Sequence, residues 1–222
     1  MVVVLPSEEG CKDGIMARYV GSVCHLCRRC GEKLMLKGSR CMTPKCTMER
    51  RRRVTTGRGR RRRLSDRGVQ LVEKQKARFT YGMMERQFQR FFLEAERQPG
   101  VTGDNLKVML EKRMDNVVYR LGFADSRTQA RQLVLHGHIT LNGKRASIPS
   151  RLVKEGDIIA VKEASTHNEY FKRLVEEIKA KAVPAWLSLD RVKLVGQVVT
   201  QPILDEASFK FDGKTIVEYY SR

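Results

Sequence analysis

Residues 113–161 constrain the fold of this chain more than any other stretch. The run is Arg113-Met114-Asp115-Asn116-Val117-Val118-Tyr119-Arg120-Leu121-Gly122-Phe123-Ala124, then Ser126-Arg127-Thr128-Gln129-Ala130-Arg131-Gln132-Leu133-Val134, then His136-Gly137-His138-Ile139 and Leu141-Asn142-Gly143-Lys144, closing with Gly156-Asp157. Its apolar spacing changes from helical to extended. Leu106, Met109, Leu110, Met114, Val117, Val118 and Leu121 share one helical face, so a helix is expected from a Thr102 cap to about Leu121, stopped by Gly122. Ser126 caps a second, short helix to about Leu135, ended by Gly137. Asn142-Gly143 predicts a tight hairpin between Ile139–Leu141 and Lys144–Ile148, because both turn positions favour positive φ. A turn at Glu155-Gly156-Asp157 then leads into the strand Ile158–Val161. Val117, Val118, Leu121, Ala130, Leu133 and Val134 are core by default.

The flanks are mainly helical. Ser65 or Asp66 caps a helix to Tyr81, with Val69, Val72, Ala77 and Tyr81 among its apolar positions and Gly82 ending it. A helix over 84–97 gathers Phe88, Phe91, Phe92 and Ala95 on one face, and Pro99-Gly100 stops it. A further helix is expected near 167–181. Val198-Val199 and Thr215-Ile216-Val217 look like strands. No repeat of fixed period occurs.

Charge decides the class of partner. Lys and Arg number 44 against 25 Asp and Glu, a formal net charge of +19 in 222 residues. Such a surplus calls for a polyanion. A membrane surface would need a spanning run, a basic amphipathic helix or a lipid anchor, and none is found, so nucleic acid leads. Nine arginines crowd into 14 residues: Arg50, Arg51, Arg52, Arg53, Arg58, Arg60, Arg61, Arg62 and Arg63. With no acid among them they repel one another strongly. Guanidinium forks suit phosphate, so the run is expected to contact nucleic acid without reading sequence; a solvated linker is the blander reading. In the helix–helix–hairpin stretch, Arg127 and Arg131 lie four apart near a helix start, and Lys144 and Arg145 sit at the hairpin tip. Together they would make a basic ridge suited to RNA shape. His136 and His138 are expected to stack on or bond RNA, or simply to close the helix, rather than to act as a general base.

Five of the six cysteines fall within residues 24–46. Cys24-x2-Cys27 and Cys41-x4-Cys46 form two close pairs, and four thiolates in a tetrahedron suit a structural zinc ion. Cys30 extends the first pair to a C-x2-C-x2-C run, so an iron–sulfur cluster is an alternative; free thiols are a third reading. Arg28, Arg29, Arg40 and Lys45 surround the cluster. Cys11 stands alone. The apolar start Met1–Leu5 lacks the flanks of a signal peptide, and a reducing compartment follows. Residues 1–15 are read as a tail, with Met16 as an alternative start.

The stretch 113–161 resembles the small RNA-binding module named after bacterial small-ribosomal-subunit protein number four, and the wider chain is similar to that protein family. The resemblance covers about residues 16–222. It rests on Met16-Ala17-Arg18-Tyr19-Val20-Gly21, the two cysteine pairs, Ser65-Asp66, Glu73-Lys74-Gln75-Lys76, Tyr81-Gly82, Glu85-Arg86-Gln87-Phe88, Trp186-Leu187 and Tyr220-Ser221-Arg222 as well as the module. Where the family often has Pro-Pro-Gly-x-His-Gly, this chain has Val54-Thr55-Thr56-Gly57-Arg58-Gly59.

The resemblance implies an α+β chain with an N-terminal zinc knuckle (16–47) and a basic linker (48–65). A mostly helical domain (66–104 and 191–222) and an inserted RNA-binding module with a hairpin (105–190, core 113–161) follow. It implies a primary binder of the 5′ domain of 16S-type rRNA that nucleates subunit assembly. Such a protein lies beside small-subunit protein five near the mRNA entrance and contributes to decoding accuracy. Its location is ribosome-bound and cytoplasmic, with an organellar ribosome as the alternative. The expected zinc ligands are Cys24, Cys27, Cys41 and Cys46. The expected RNA-contacting set adds Arg113, Asn116, Tyr119, Arg120 and Gln132 to Arg127, Arg131, His136, His138, Lys144, Arg145 and the arginine run. The rival reading is an RNA-modifying or aminoacylating enzyme carrying the same module, but the remaining residues leave little room for a catalytic domain and present no nucleophile–base set or phosphate loop. A redox protein using Cys24, Cys27 and Cys30 is the third class.

Overall fold

Among the described residues, three separate clusters of buried apolar side chains organise the chain. The computed structural model describes residues 19, 21–54, 64–202 and 209–221. Its elements run α1 (Val23–Cys30), α2 (Thr47–Val54), α3 (Asp66–Thr80), α4 (Glu85–Arg97), α5 (Thr102–Glu111), α6 (Met114–Arg120), α7 (Arg127–Leu135), β1 (Ile139–Leu141), β2 (Lys144–Arg145), β3 (Ile158–Val161), α8 (Glu163–Thr166), α9 (Glu169–Glu177), β4 (Leu187–Asp190), β5 (Val195–Val198) and α10 (Gly213–Tyr220).

The helical half forms because α4 and α5 each offer one apolar face. Phe88, Phe91, Phe92 and Ala95 pack with Leu106, Met109 and Leu110, and Ala77, Tyr81, Phe211 and Ile216 complete the cluster. Each fully buried aromatic or aliphatic side chain here contributes about 2–3 kcal/mol of transfer free energy. The α3 segment buries the expected Ala77 and Tyr81 but not Val69, which is 46% exposed, and it buries Gln70 and Lys74 as well. The reason is α10, which covers this face with polar partners. Gln70 Nε2 donates to Glu218 at 3.0 Å, and the Lys74 ammonium lies 4.6 Å from the centre of the Tyr219 ring. The strand expected at Thr215-Ile216-Val217 is part of α10 instead. Asp212 accepts the amides of Lys214 and Thr215, and this cap, with packing on α3 and α5, overrides the β preference of three branched residues. A close backbone approach seats α10: a Cβ on Gly103 would lie 2.9 Å from the carbonyl carbon of Gly213.

The second half is an antiparallel sheet of order β2-β1-β3-β5-β4, covered by α6, α7 and α9. Asn142 and Gly143 both take positive φ, as the hairpin turn demands, and Leu141 pairs with Lys144. The return strand is shorter than expected, only Lys144–Arg145. The helix expected over 167–181 is α9 and a 3-10 turn over Ile178–Ala180, and the short α8 lies just before it. The buried clusters divide the chain differently from the boundaries read in the sequence. Leu106, Met109 and Leu110 of α5 belong to the helical core, and β5 pairs with β3 in the module sheet.

The third cluster is the cysteine segment. Leu26, Cys27, Cys30 and Leu34 close on Phe79 of α3. Lys76 bridges to Glu32 at 2.8 Å and Lys210 Nζ donates to the Lys33 carbonyl, so the segment is tied to the helical half. Its Gly38 (φ +59) abuts the other half, where a Cβ would lie 2.4 Å from the Asp125 carbonyl oxygen.

Candidate nucleic-acid interface

The single helix expected over 102–121 is broken at Lys112-Arg113, and the break creates the site. Arg113 is extended (φ −66, ψ 136) and forms a bridge with Leu152. The first amides of α6 are satisfied from the neighbouring loop: Met114 N–H donates to Arg151 O at 2.8 Å and Asp115 N–H to Pro149 O at 3.1 Å. The α5–α6 junction is thereby buried, and polar side chains on it must find internal partners.

Most do so around two carboxylates, while Arg113 Nη1 and Arg131 Nε are buried without a hydrogen-bond partner. Glu111, 2% exposed, accepts from Tyr81 Oη at 2.6 Å, from Asn116 Nδ2 at 2.8 Å and from Arg120 Nε and Nη2, both at 2.9 Å. Burial acts to raise its pKa, but the hydrogen bonds and charge of Arg120 outweigh it and the carboxyl sits below its ordinary range. Asp115 accepts from Arg113 Nε at 3.1 Å and Nη2 at 2.7 Å, and from Arg131 Nη1 at 3.0 Å. Here burial prevails over Arg113, and the pKa is raised. Arg127 completes the network: its Nε donates to Asn116 Oδ1 at 2.8 Å, and its guanidinium lies 5.0 Å from the Tyr81 ring centre and 4.6 Å from that of Tyr119.

This geometry sorts the expected RNA-contacting residues. Arg113 and Asn116 are 0% and 1% exposed; they are internal struts and not surface contacts. The reason is that Arg113 spends its guanidinium on Asp115 and on the face of Phe91, 5.5 Å away. Arg120 is committed edge-on to Glu111. Tyr119, Arg127 and Arg131 are partly exposed at the rim, and Gln132, His136, Lys144 and Arg145 are exposed. The Arg145 guanidinium lies against Gly137, where a Cβ would come within 2.2 Å of its Nε, so the hairpin meets the end of α7. His138 is half-buried, its Nδ1 3.0 Å from Ser165 Oγ. The solvent-facing cations thus run from the start of α7 to the hairpin. Of the arginine run, Arg50 to Arg53 lie on α2, a helix within the stretch expected as a basic linker, and Arg50 is exposed. Arg58 and Arg60 to Arg63 lie outside the described residues. Glu111, Asp115 and Tyr81 were not expected in the site; an acid beside Leu110 on the apolar stripe of α5 was the one available signal.

Cys24, Cys27, Cys41 and Cys46 line one small cavity, with Lys37 and Met48 beside them. The Lys37 amide donates to Cys41 Sγ at 3.3 Å. Burial raises the Cys27 thiol pKa, and the neighbouring Cys41, Cys24 and Cys46 add to the effect. Among the described residues no group of three or more Cys, His, Asp or Glu side chains is set in metal-holding geometry. Cys30 does not line the cavity. It is buried against Phe79 in the cluster above, and burial pushes its thiol up to about 11. No helix among the described residues is long and apolar enough to cross a membrane.

Residues 18–111 match the family described as ribosomal protein S4/S9 N-terminal domain, and residues 112–159 match the S4 domain. The chain is 56% identical over 208 residues to small ribosomal subunit protein uS4 of Dehalococcoides mccartyi, 51% to that of Pelotomaculum thermopropionicum and 50% to uS4A of Alkaliphilus metalliredigens. In each case 93% of this chain and 100% of the relative are covered. A helical half carrying an inserted basic module, and this identity over whole relatives, place the chain in the family of small ribosomal subunit protein uS4.

Proposed function

We propose that this chain is a structural protein of the small ribosomal subunit that binds 16S-type rRNA directly through the cation-lined edge of α7 and the β1–β2 hairpin. Its family is one of ribosomal structural proteins, not of enzymes. The observation that carries the reading is the row Arg127, Arg131, Gln132, His136, Lys144 and Arg145, partly or fully solvent-facing, within a chain of net charge +19. Bidentate guanidinium groups and a basic hairpin fit phosphate and the shallow RNA groove. The arginine run from Arg50 to Arg63 adds a second stretch of phosphate contacts. In this reading the partners are the 5′ domain of the rRNA, small-subunit protein five and the mRNA near its entrance. The protein nucleates assembly, contributes to accuracy and resides on the ribosome in the cytoplasm.

The same reading gives the cysteine cavity a zinc ion held by Cys24, Cys27, Cys41 and Cys46. Four cysteines around one cavity, and an amide aimed at one sulfur, are what support it. A bound zinc would lock a segment with little core of its own.

The test is filter binding of the full chain to small-subunit rRNA across a salt series. Arg127, Arg131, Lys144 and Arg145 are changed to Gln together. A steep salt slope for the wild type, flattened in the variant, is expected. Equal slopes would overturn the assignment of this face.

A further inference from the structure

Arg127 is the cation of this face that the structure holds most completely. Its guanidinium carbon lies over two aromatic rings, 5.0 Å from the centre of Tyr81 and 4.6 Å from that of Tyr119. Its Nε is bound to Asn116 Oδ1, and Asn116 is fixed in turn by Glu111. The two terminal nitrogens have no protein partner among the described residues, and neither is among the buried unpaired atoms, so both reach solvent. Arg131 contrasts with it: its Nη1 is bound to Asp115 and its Nε is buried and unpaired. Tyr81 is a buried residue of the helical half, immobilised by its hydrogen bond to Glu111 and an edge contact with Phe211. Arg127 opens α7 in the other half.

Resting on the rRNA-binding reading, we infer that Tyr81 is a positioning residue of the RNA interface: with Tyr119 it clamps the Arg127 guanidinium so that its terminal nitrogens stand as a fixed two-pronged donor for one RNA phosphate. A free arginine loses rotamer freedom when it grips a phosphate; a clamped one has lost it already, and its planar fork matches two phosphate oxygens. The clamp also makes the phosphate site depend on the docking of the two halves, since one wall comes from each. The aromatic ring, not the phenol oxygen, carries this role, because the hydroxyl is turned to Glu111.

A double-mutant cycle in the full chain tests it, using small-subunit rRNA as probe and thermal melting as the control for folding. Tyr81→Leu and Arg127→Lys are each expected to weaken binding about tenfold. Tyr81→Phe, which keeps the ring, binds within about twofold of wild type. Tyr81→Leu adds nothing further on the Arg127→Lys background. Undiminished binding by Tyr81→Leu, or a loss that persists in full in the double variant, overturns the clamp while leaving rRNA binding intact. Wild-type binding that tRNA competes away equally well overturns the RNA reading itself. Should Tyr81→Leu melt below the assay temperature, Tyr119→Leu, which removes the half-exposed wall, takes its place in the same cycle with the same expected and refuting outcomes.

Discussion

Replacing Glu111 by Gln removes one charge and adds two N–H donors at the centre of the buried network. In the native structure the carboxylate accepts four hydrogen bonds from Tyr81, Asn116 and Arg120. A glutamine oxygen serves at most two of these donors, and its amide group then points donors at donors. Breaking a buried pair from one side costs about 3–5 kcal/mol, because the partner's charge stays behind. Arg120 retains some solvent at its rim, with 23% of its side chain exposed, so the low end, about 3 kcal/mol, is expected. For a chain of this size that lowers the melting temperature by roughly 6–12 °C. The assay is urea unfolding followed by circular dichroism and by fluorescence of Trp186, a buried probe in the module. The pH dependence supplies a second check. The Glu111 pKa is depressed in the folded state, so its stabilisation is complete above the unfolded value, about 4.3, and is lost as pH falls through the folded value. The gap between wild type and Glu111→Gln is therefore full near neutrality and narrows below about pH 4. A gap under about 1 kcal/mol at pH 7, or one that acid leaves unchanged, would refute the argument that ionised Glu111 holds this junction together.

Three further outcomes are expected. Gly103→Val places side-chain atoms where the Gly213 backbone lies, so α10 should detach and the protein should lose about 1–3 kcal/mol, read by melting and by protease cleavage near the C-terminus. Cys41→Ser should abolish zinc in native mass spectra and speed hydrogen exchange over residues 24–46 while residues 113–161 keep their protection; global unfolding would show the two parts to be interdependent. Replacing Arg60 to Arg63 by Gln should flatten the salt dependence of rRNA binding by up to about 0.9 for each phosphate no longer neutralised, and an unchanged slope would remove that run from the interface.

Much of the architecture was legible because it rests on local signals. Ser65 and Ser126 cap the helices they were expected to cap, Phe88 to Ala95 bury one face, and Asn142-Gly143 turns the hairpin. The failures share a cause, which is tertiary packing overriding local preference. Arg113 breaks a continuous apolar stripe because residues 149–152 supply acceptors that no reading of residues 102–121 alone reveals. Thr215 to Val217 become helix because α3 and α5 await them. Gln70 and Lys74 are buried because Glu218 and Tyr219 arrive from the other end of the chain. In the site, a row of basic residues was the visible signal. Which of them face outward depends on Glu111 and Asp115, acids that the overall surplus of cations hides. Arg113 and Asn116 consequently belong to the interior and not the surface, and Tyr81, a residue of the helical half, joins the site.

In the proposed reading this chain recognises small-subunit rRNA by itself. The most direct measurement is chemical footprinting of the purified protein on naked small-subunit rRNA at moderate salt, with no other ribosomal protein present. Discrete protections confined to the 5′ domain, weakened by Arg127→Lys, are the predicted result. Protection spread evenly over the whole RNA and erased by modest salt would contradict the account, leaving a basic protein without a site of its own on that RNA.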